Sequence, residues 1–138
     1  GIHVPPTILR MAYKIKGVER MALITDALAV AASGPDAKAF DKRVIIEDGV
    51  CKLADRSALA GSIATTDRLV RTMVLQAEVP LEDAVRMASE TPAHIMGISG
   101  RKGALSRGKD ADVLILDEKL KVRCVWQMGR IIENSLFQ

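Results

Sequence analysis

The sequence predicts an α/β protein, and three observations carry that prediction. An apolar helical face is followed by a short, continuously apolar strand that ends at a carboxylate. More amphipathic helices follow, and from about residue 100 the chain turns to short β segments separated by glycines. A strand that is apolar throughout, next to a helix, suits a parallel sheet covered on both faces.

The elements follow in order. Pro5 and Pro6 precede Ile8, Leu9, Met11, Ala12 and Ile15, and the spacing 8, 11, 12, 15 marks a helical face. Lys14 and Lys16 suit its last turn and Gly17 its stop. Met21-Ala22-Leu23-Ile24-Thr25 reads as a buried parallel strand ending at Asp26. Ser33-Gly34-Pro35-Asp36 reads as loop. Val44 to Glu47 and Val50 to Leu53 flank Asp48-Gly49, a favoured two-residue hairpin turn.

Helical spacing returns with Leu69, Val70, Met73, Val74 and Ala77, Asp67 lying near the start. A second helix has Pro80 in its first turn and Leu81, Ala84, Val85 and Ala88 inward. Thr91 is the expected N-cap of a third, with Pro92 at its first position. Val113 to Leu116 forms a buried strand, and Val122, Cys124, Trp126 and Met128 alternate with polar neighbours in the next. Cys51 and Cys124, far apart and inside strands, read as buried structural thiols.

Composition narrows the function classes. The 138 residues favour one domain, and 49% hydrophobic with 27% charged residues is an ordinary globular balance. A net charge of +3, with one Trp, one Tyr and two Phe, lacks the basic face and stacking rings of a nucleic-acid binder. There is no apolar run of about 18 residues, so no membrane span is expected. No signal peptide is visible, and a cytoplasmic location is the default. The opening Gly1 in place of Met suggests a chain cut from a longer one.

Few residues offer chemistry. The two histidines, His3 and His94, cannot build a three-histidine metal site. His94 reads as a surface residue of its helix. His3, between a glycine and prolines, is either a solvated loop residue or functional. Asp26 is sharper: a carboxylate at the C-terminal end of a buried parallel strand lies where active sites form, although it could instead cap the Thr25-Asp26-Ala27 turn. Gly61-Ser62 could approach a ligand through backbone N–H groups, or could simply turn into a helix.

Several segments then act together: Gly1-Ile2-His3-Val4, Leu23-Ile24-Thr25-Asp26-Ala27, Leu59-Ala60-Gly61-Ser62, Ala84 to Ser89 with Pro92-Ala93, and Lys102 to Leu105 through Gly108 to Asp112. In this order the chain resembles the N-acetylglucosamine-6-phosphate deacetylase family of metal-dependent amidohydrolases. The resemblance implies a (β/α)8 barrel with a small β-sandwich domain built from both chain ends. A barrel takes about 250 residues, so this chain would hold only its closing part. Residues 1–98 would be barrel, with a hairpin at 41–58 inserted after the eighth strand, and 99–138 would be strands of the small domain.

The implied reaction is hydrolysis of the acetamide of an amino-sugar 6-phosphate to glucosamine 6-phosphate and acetate. By the same resemblance Asp26 is the proton-transferring carboxylate. Gly1, Ile2 and His3 lie at the substrate, and Leu59, Ala60 and Gly61 contact the sugar chiefly through backbone. A divalent metal, zinc or iron, serves the full-length homodimer, but its glutamate and histidine ligands match nothing here, so none is expected to bind this chain alone. The phosphate-binding arginine, taken from a neighbouring subunit, is also unmatched. Two alternatives stay open: another amidohydrolase, acting on a different N-acetylated sugar phosphate or dihydroorotase-like, and a non-enzymatic binding module.

Overall fold

Two prolines pre-set the backbone where the first helix begins. The computed structural model describes residues 1–33, 38–39 and 42–135. Helix α1 (Pro6–Lys16) starts at the second of those prolines and ends at Gly17. Its packed side departs from the predicted 8, 11, 12, 15 stripe. Leu9 and Tyr13 pack on the core, while Ile8, Met11 and Ile15 are exposed. A helix this apolar carries two stripes, and the described chain covers one.

A short 3-10 turn, Val18–Arg20, leads into residues 21–26. Here the prediction of a buried parallel strand needs correction. The segment makes no ladder, Ile24 is 77% exposed, and Leu23 donates its amide to the Met87 carbonyl instead. A parallel strand needs strand neighbours, and none lies beside it among the described residues. What pairing there is, an isolated bridge between Ala27 and Ser62, is parallel.

Helix α2 (Val30–Ser33) and the short strand β1 (Lys38–Ala39) lead to the hairpin, β2 (Lys42–Glu47) and β3 (Val50–Leu53). The hairpin matches its sequence reading: Glu47 pairs with Val50, and Asp48 and Gly49 have φ of 53° and 73°. Two positive values in a two-residue loop make the type I′ turn whose twist fits the strands. Gly34, Pro35 and Asp36 of the expected loop, and Asp41 of the expected insert, lie outside the described residues, as do 136–138.

Helices α3 (Thr66–Leu75), α4 (Leu81–Ala88) and α5 (Glu90–Ile95) follow, and the first two build the main core. Val70, Met73, Ala77, Val79, Ala84 and Met87 form its buried centre, and Leu9, Tyr13, Met21 and Leu23 pack on it. In α4 the inward side is Ala84, Met87 and Ala88, whereas Leu81 and Val85, expected inward, are exposed. Thr91 is not the N-cap of α5. Ser89 takes that place, and Thr91 is buried, its hydroxyl donating to the Val18 carbonyl at 2.9 Å. A buried hydroxyl needs such a partner, and Val18 supplies it.

A second three-stranded antiparallel sheet follows: β4 (Val113–Leu116), β5 (Val122–Gln127) and β6 (Arg130–Asn134). Cys124 is fully buried in β5, and Arg123 and Gln127 are exposed, as the alternation predicts. Met128 falls in the following turn with φ 50° and is exposed. The expected burial of β4 is also corrected, because Leu114 and Ile115, on opposite faces of the strand, are both exposed. Arg71 of α3 joins this sheet to the helices by donating to the Leu120 carbonyl at 2.9 Å.

Candidate functional site

The site begins where the extended segment 21–26 turns. Thr25 accepts the amide of Ala27 on its hydroxyl at 3.3 Å, and Asp26 takes φ 50°, a left-handed value that non-glycine residues other than Asn, Asp and His seldom adopt. Two backbone bonds fasten this turn to the segment before α3. Ser62 donates its amide to the Asp26 carbonyl at 3.0 Å, and Leu28 donates to the Ser62 carbonyl at 2.9 Å. The cap alternative for Asp26 is thus answered, because the side chain accepting from the turn is Thr25, and the Asp26 carboxylate accepts no hydrogen bond among the described residues. It is exposed.

Gly61 makes this close approach possible. Its φ is +62°, and a Cβ there would lie 2.6 Å from Leu28 Cγ. Any side chain would both strain the backbone and collide with Leu28. Ser62 turns its hydroxyl inward on its own loop and accepts the Ala64 amide at 2.8 Å.

A cavity of about 320 Å³ opens beside Asp26. It is lined by Gly1, Ile2, His3, Asp26 and Gly61, among others, so five of the seven sequence-predicted site residues meet there. The other two do not: Leu59 is 45% exposed and bridges to Lys52, and Ala60 packs under the hairpin and donates its amide to the Cys51 carbonyl. Most of the remaining lining is apolar, including Met21, Leu69 and Met73. Cys51 also lines it, and burial pushes its thiol pKa up, which keeps it protonated.

Sequence reasoning missed Arg68. It stands in the first turn of α3, lines the cavity, and among the described residues donates a single long 3.5 Å bond, to the Gly49 carbonyl. Asp26 and Arg68 are the two charged side chains on the lining among the described residues. Nothing in the spacing of Arg68 separates it from a solvated helix face, and the hairpin that closes over it is remote in sequence. His94 is exposed on α5 and takes no part.

The amidohydrolase family model matches residues 8–132. The chain belongs to the amidohydrolase family. An N-acetylglucosamine-6-phosphate deacetylase of Bos taurus is 34% identical over 135 residues, which are 96% of this chain and 32% of that protein. An N-acetylgalactosamine-6-phosphate deacetylase of Escherichia coli O157:H7 is 37% identical over 133 residues, covering 95% of this chain and 34% of the other. Among solved structures, a mutant N-acetyl-D-glucosamine-6-phosphate deacetylase of Mycobacterium smegmatis in complex with N-acetyl-D-glucosamine-6-phosphate superposes with a TM-score of 0.86 at 32% identity. It covers 97% of this chain and 36% of that one. The amidohydrolase chain thus spans about a third of the length of the relatives it matches.

Proposed function

We propose that this amidohydrolase chain is the C-terminal portion of an N-acetylglucosamine-6-phosphate deacetylase, which hydrolyses the acetamide of its amino-sugar phosphate to glucosamine 6-phosphate and acetate. The observation that carries the reading is the convergence of three separate segments, those of His3, Asp26 and Gly61, on one cavity. Likeness along nearly the whole chain to enzymes of that name supports it.

In this reading residues 1–98 close a (β/α)8 barrel and 99–138 belong to a small β-sandwich domain. The parallel bridge at Ala27 and the carboxylate just before it suit the active end of a last barrel strand. Asp26, with no ion-pair partner among the described residues, accepts a proton from the attacking water and returns it to the departing nitrogen. His3 hydrogen-bonds the sugar, and the open backbone at Gly61 lets the ring approach closely. The full enzyme would be a cytoplasmic homodimer of amino-sugar metabolism.

Amidohydrolase chemistry commonly draws on a divalent metal, here zinc or iron, which polarises the carbonyl and activates water. The residues present do not fit one. A catalytic zinc site takes three protein ligands, and no group of three His, Cys, Asp or Glu side chains converges among the described residues. Its ligands would come from parts of the enzyme beyond this chain.

The test is acetate release by the complete enzyme whose reading frame contains these residues. Release from N-acetylglucosamine 6-phosphate is the expected result, and none from any N-acetylated amino-sugar phosphate would end the proposal. The galacto epimer is the second reading, favoured by the 37% identity to the Escherichia coli enzyme. Relative kcat/KM for the two sugars decides between them.

A further inference from the structure

Leu28 lies two residues beyond Asp26, away from the cavity lining, yet three observations tie it to that carboxylate. Its amide donates to the Ser62 carbonyl, completing the pair of bonds whose other member runs from the Ser62 amide to the Asp26 carbonyl. Its side chain fills the space against Gly61, with Cγ, Cδ2 and Cδ1 at 2.6, 2.8 and 2.9 Å from where a Cβ would stand. It also packs against the buried cluster of Val30, Val44 and Cys51, two of which belong to the β2–β3 hairpin.

The hairpin core therefore presses on Leu28, Leu28 seats against Gly61, and the residue after Gly61 holds the backbone of Asp26. These contacts hold Asp26 in one of the backbone states open to it. Its left-handed backbone is less common than the extended and right-handed regions even for aspartate, so neighbouring contacts help to fix it. The Thr25 hydroxyl, 3.3 Å from the Ala27 amide, is a long and weak restraint by comparison.

We propose that Leu28 is a positioning residue for Asp26, transmitting the packing of the β2–β3 hairpin through Gly61 and Ser62 to the proton-transferring carboxylate. The hairpin is then a buttress of the site. The kinetic part rests on the deacetylase reading, and the structural part stands apart from it.

The experiment uses the complete enzyme with Leu28→Ala, Leu28→Met and Gly61→Ala. Leu28→Ala is expected to lower kcat by about tenfold to a hundredfold, the scale of a small misplacement of a reacting group, with KM within about twofold. The acidic limb of its kcat/KM profile is expected to move, because the carboxylate changes surroundings. Leu28→Met, which refills the volume, restores both. Combining Leu28→Ala with Gly61→Ala recovers part of the loss of Gly61→Ala alone, since the collision partner is gone. An unchanged kcat and acidic limb in folded Leu28→Ala would overturn the proposal, and so would a loss merely proportional to unfolded enzyme.

Hydrogen exchange at the Ser62 amide gives a readout without turnover. It quickens in Leu28→Ala if the proposal holds, and an unchanged rate overturns it. If the unaltered enzyme releases no acetate, the deacetylase reading fails, while this exchange result still decides the role of Leu28.

Discussion

Tyr13 on α1 donates its phenolic hydrogen bond to the Asp83 carboxylate on α4, joining residues 70 positions apart in sequence. That bond first, with burial behind it, pushes the phenol above its usual value of about 10. A raised folded pKa stabilises fully below the unfolded value and loses that contribution as pH rises through the folded one. Tyr13→Phe is therefore expected to melt at a lower temperature at neutral pH, with its deficit shrinking under strongly alkaline conditions. Equal melting temperatures at neutral pH would remove the tie.

Met87 is fully buried at the centre of the helical core, beside Met73 and Ala84. Truncation leaves a cavity that helices anchored on several sides cannot fill. Met87→Ala is expected to cost about 2–5 kcal/mol in denaturant unfolding. A cost under about 1 kcal/mol would mean that the core relaxes freely.

Asp112 holds Lys102 and also accepts the Met128 amide at 2.8 Å. The lysine first, then that amide, keeps its carboxyl below the usual carboxylate range. A depressed folded pKa stabilises above the unfolded value of about 4 and fades as pH falls through the folded one. Asp112→Asn is thus expected to melt lower than the unaltered protein at neutral pH and to match it in strong acid. A constant difference across that range would contradict the assignment.

In the complete enzyme, Asp26→Asn is expected to lower kcat by about 10²–10⁴, the scale of a lost general acid–base group. The 138 residues alone are expected to release no acetate, with or without added zinc. Steady release from the purified chain would overturn the assignment of its metal ligands to other residues.

Large apolar side chains stand open on separate elements, with Ile15 66%, Ile24 77%, Leu105 75% and Ile132 61% exposed. Alone, the chain is expected to bind an apolar dye and to self-associate, because surfaces of this kind seek cover. A monodisperse monomer that leaves the dye dark would count against it.

Local chemistry was legible in the sequence wherever it acts alone. Asp48-Gly49 named its turn, Gly17 its stop, and Cys124 its buried side, because each depends on a few neighbouring residues. Misreadings came where burial depends on remote partners. Met21 to Thr25 has the composition of a covered strand, but composition cannot show which strands stand beside it. Leu81, Val85 and Leu114 failed likewise, each apolar and each exposed. At the site, His3 and Asp26 stood out by residue type and position. Arg68 and Leu28 did not, since both gain meaning only from a hairpin that folds back over them.

The left-handed turn at Asp26 also limits which amino acids the codon can drift to. Asparagine, aspartate and glycine tolerate that backbone, whereas glutamate, the other natural carboxylate, is disfavoured there. Of the residues this corner accepts readily, a single one carries an acid. Glutamate at this corner would keep the charge at a cost in backbone strain, and asparagine would keep the backbone and lose the charge.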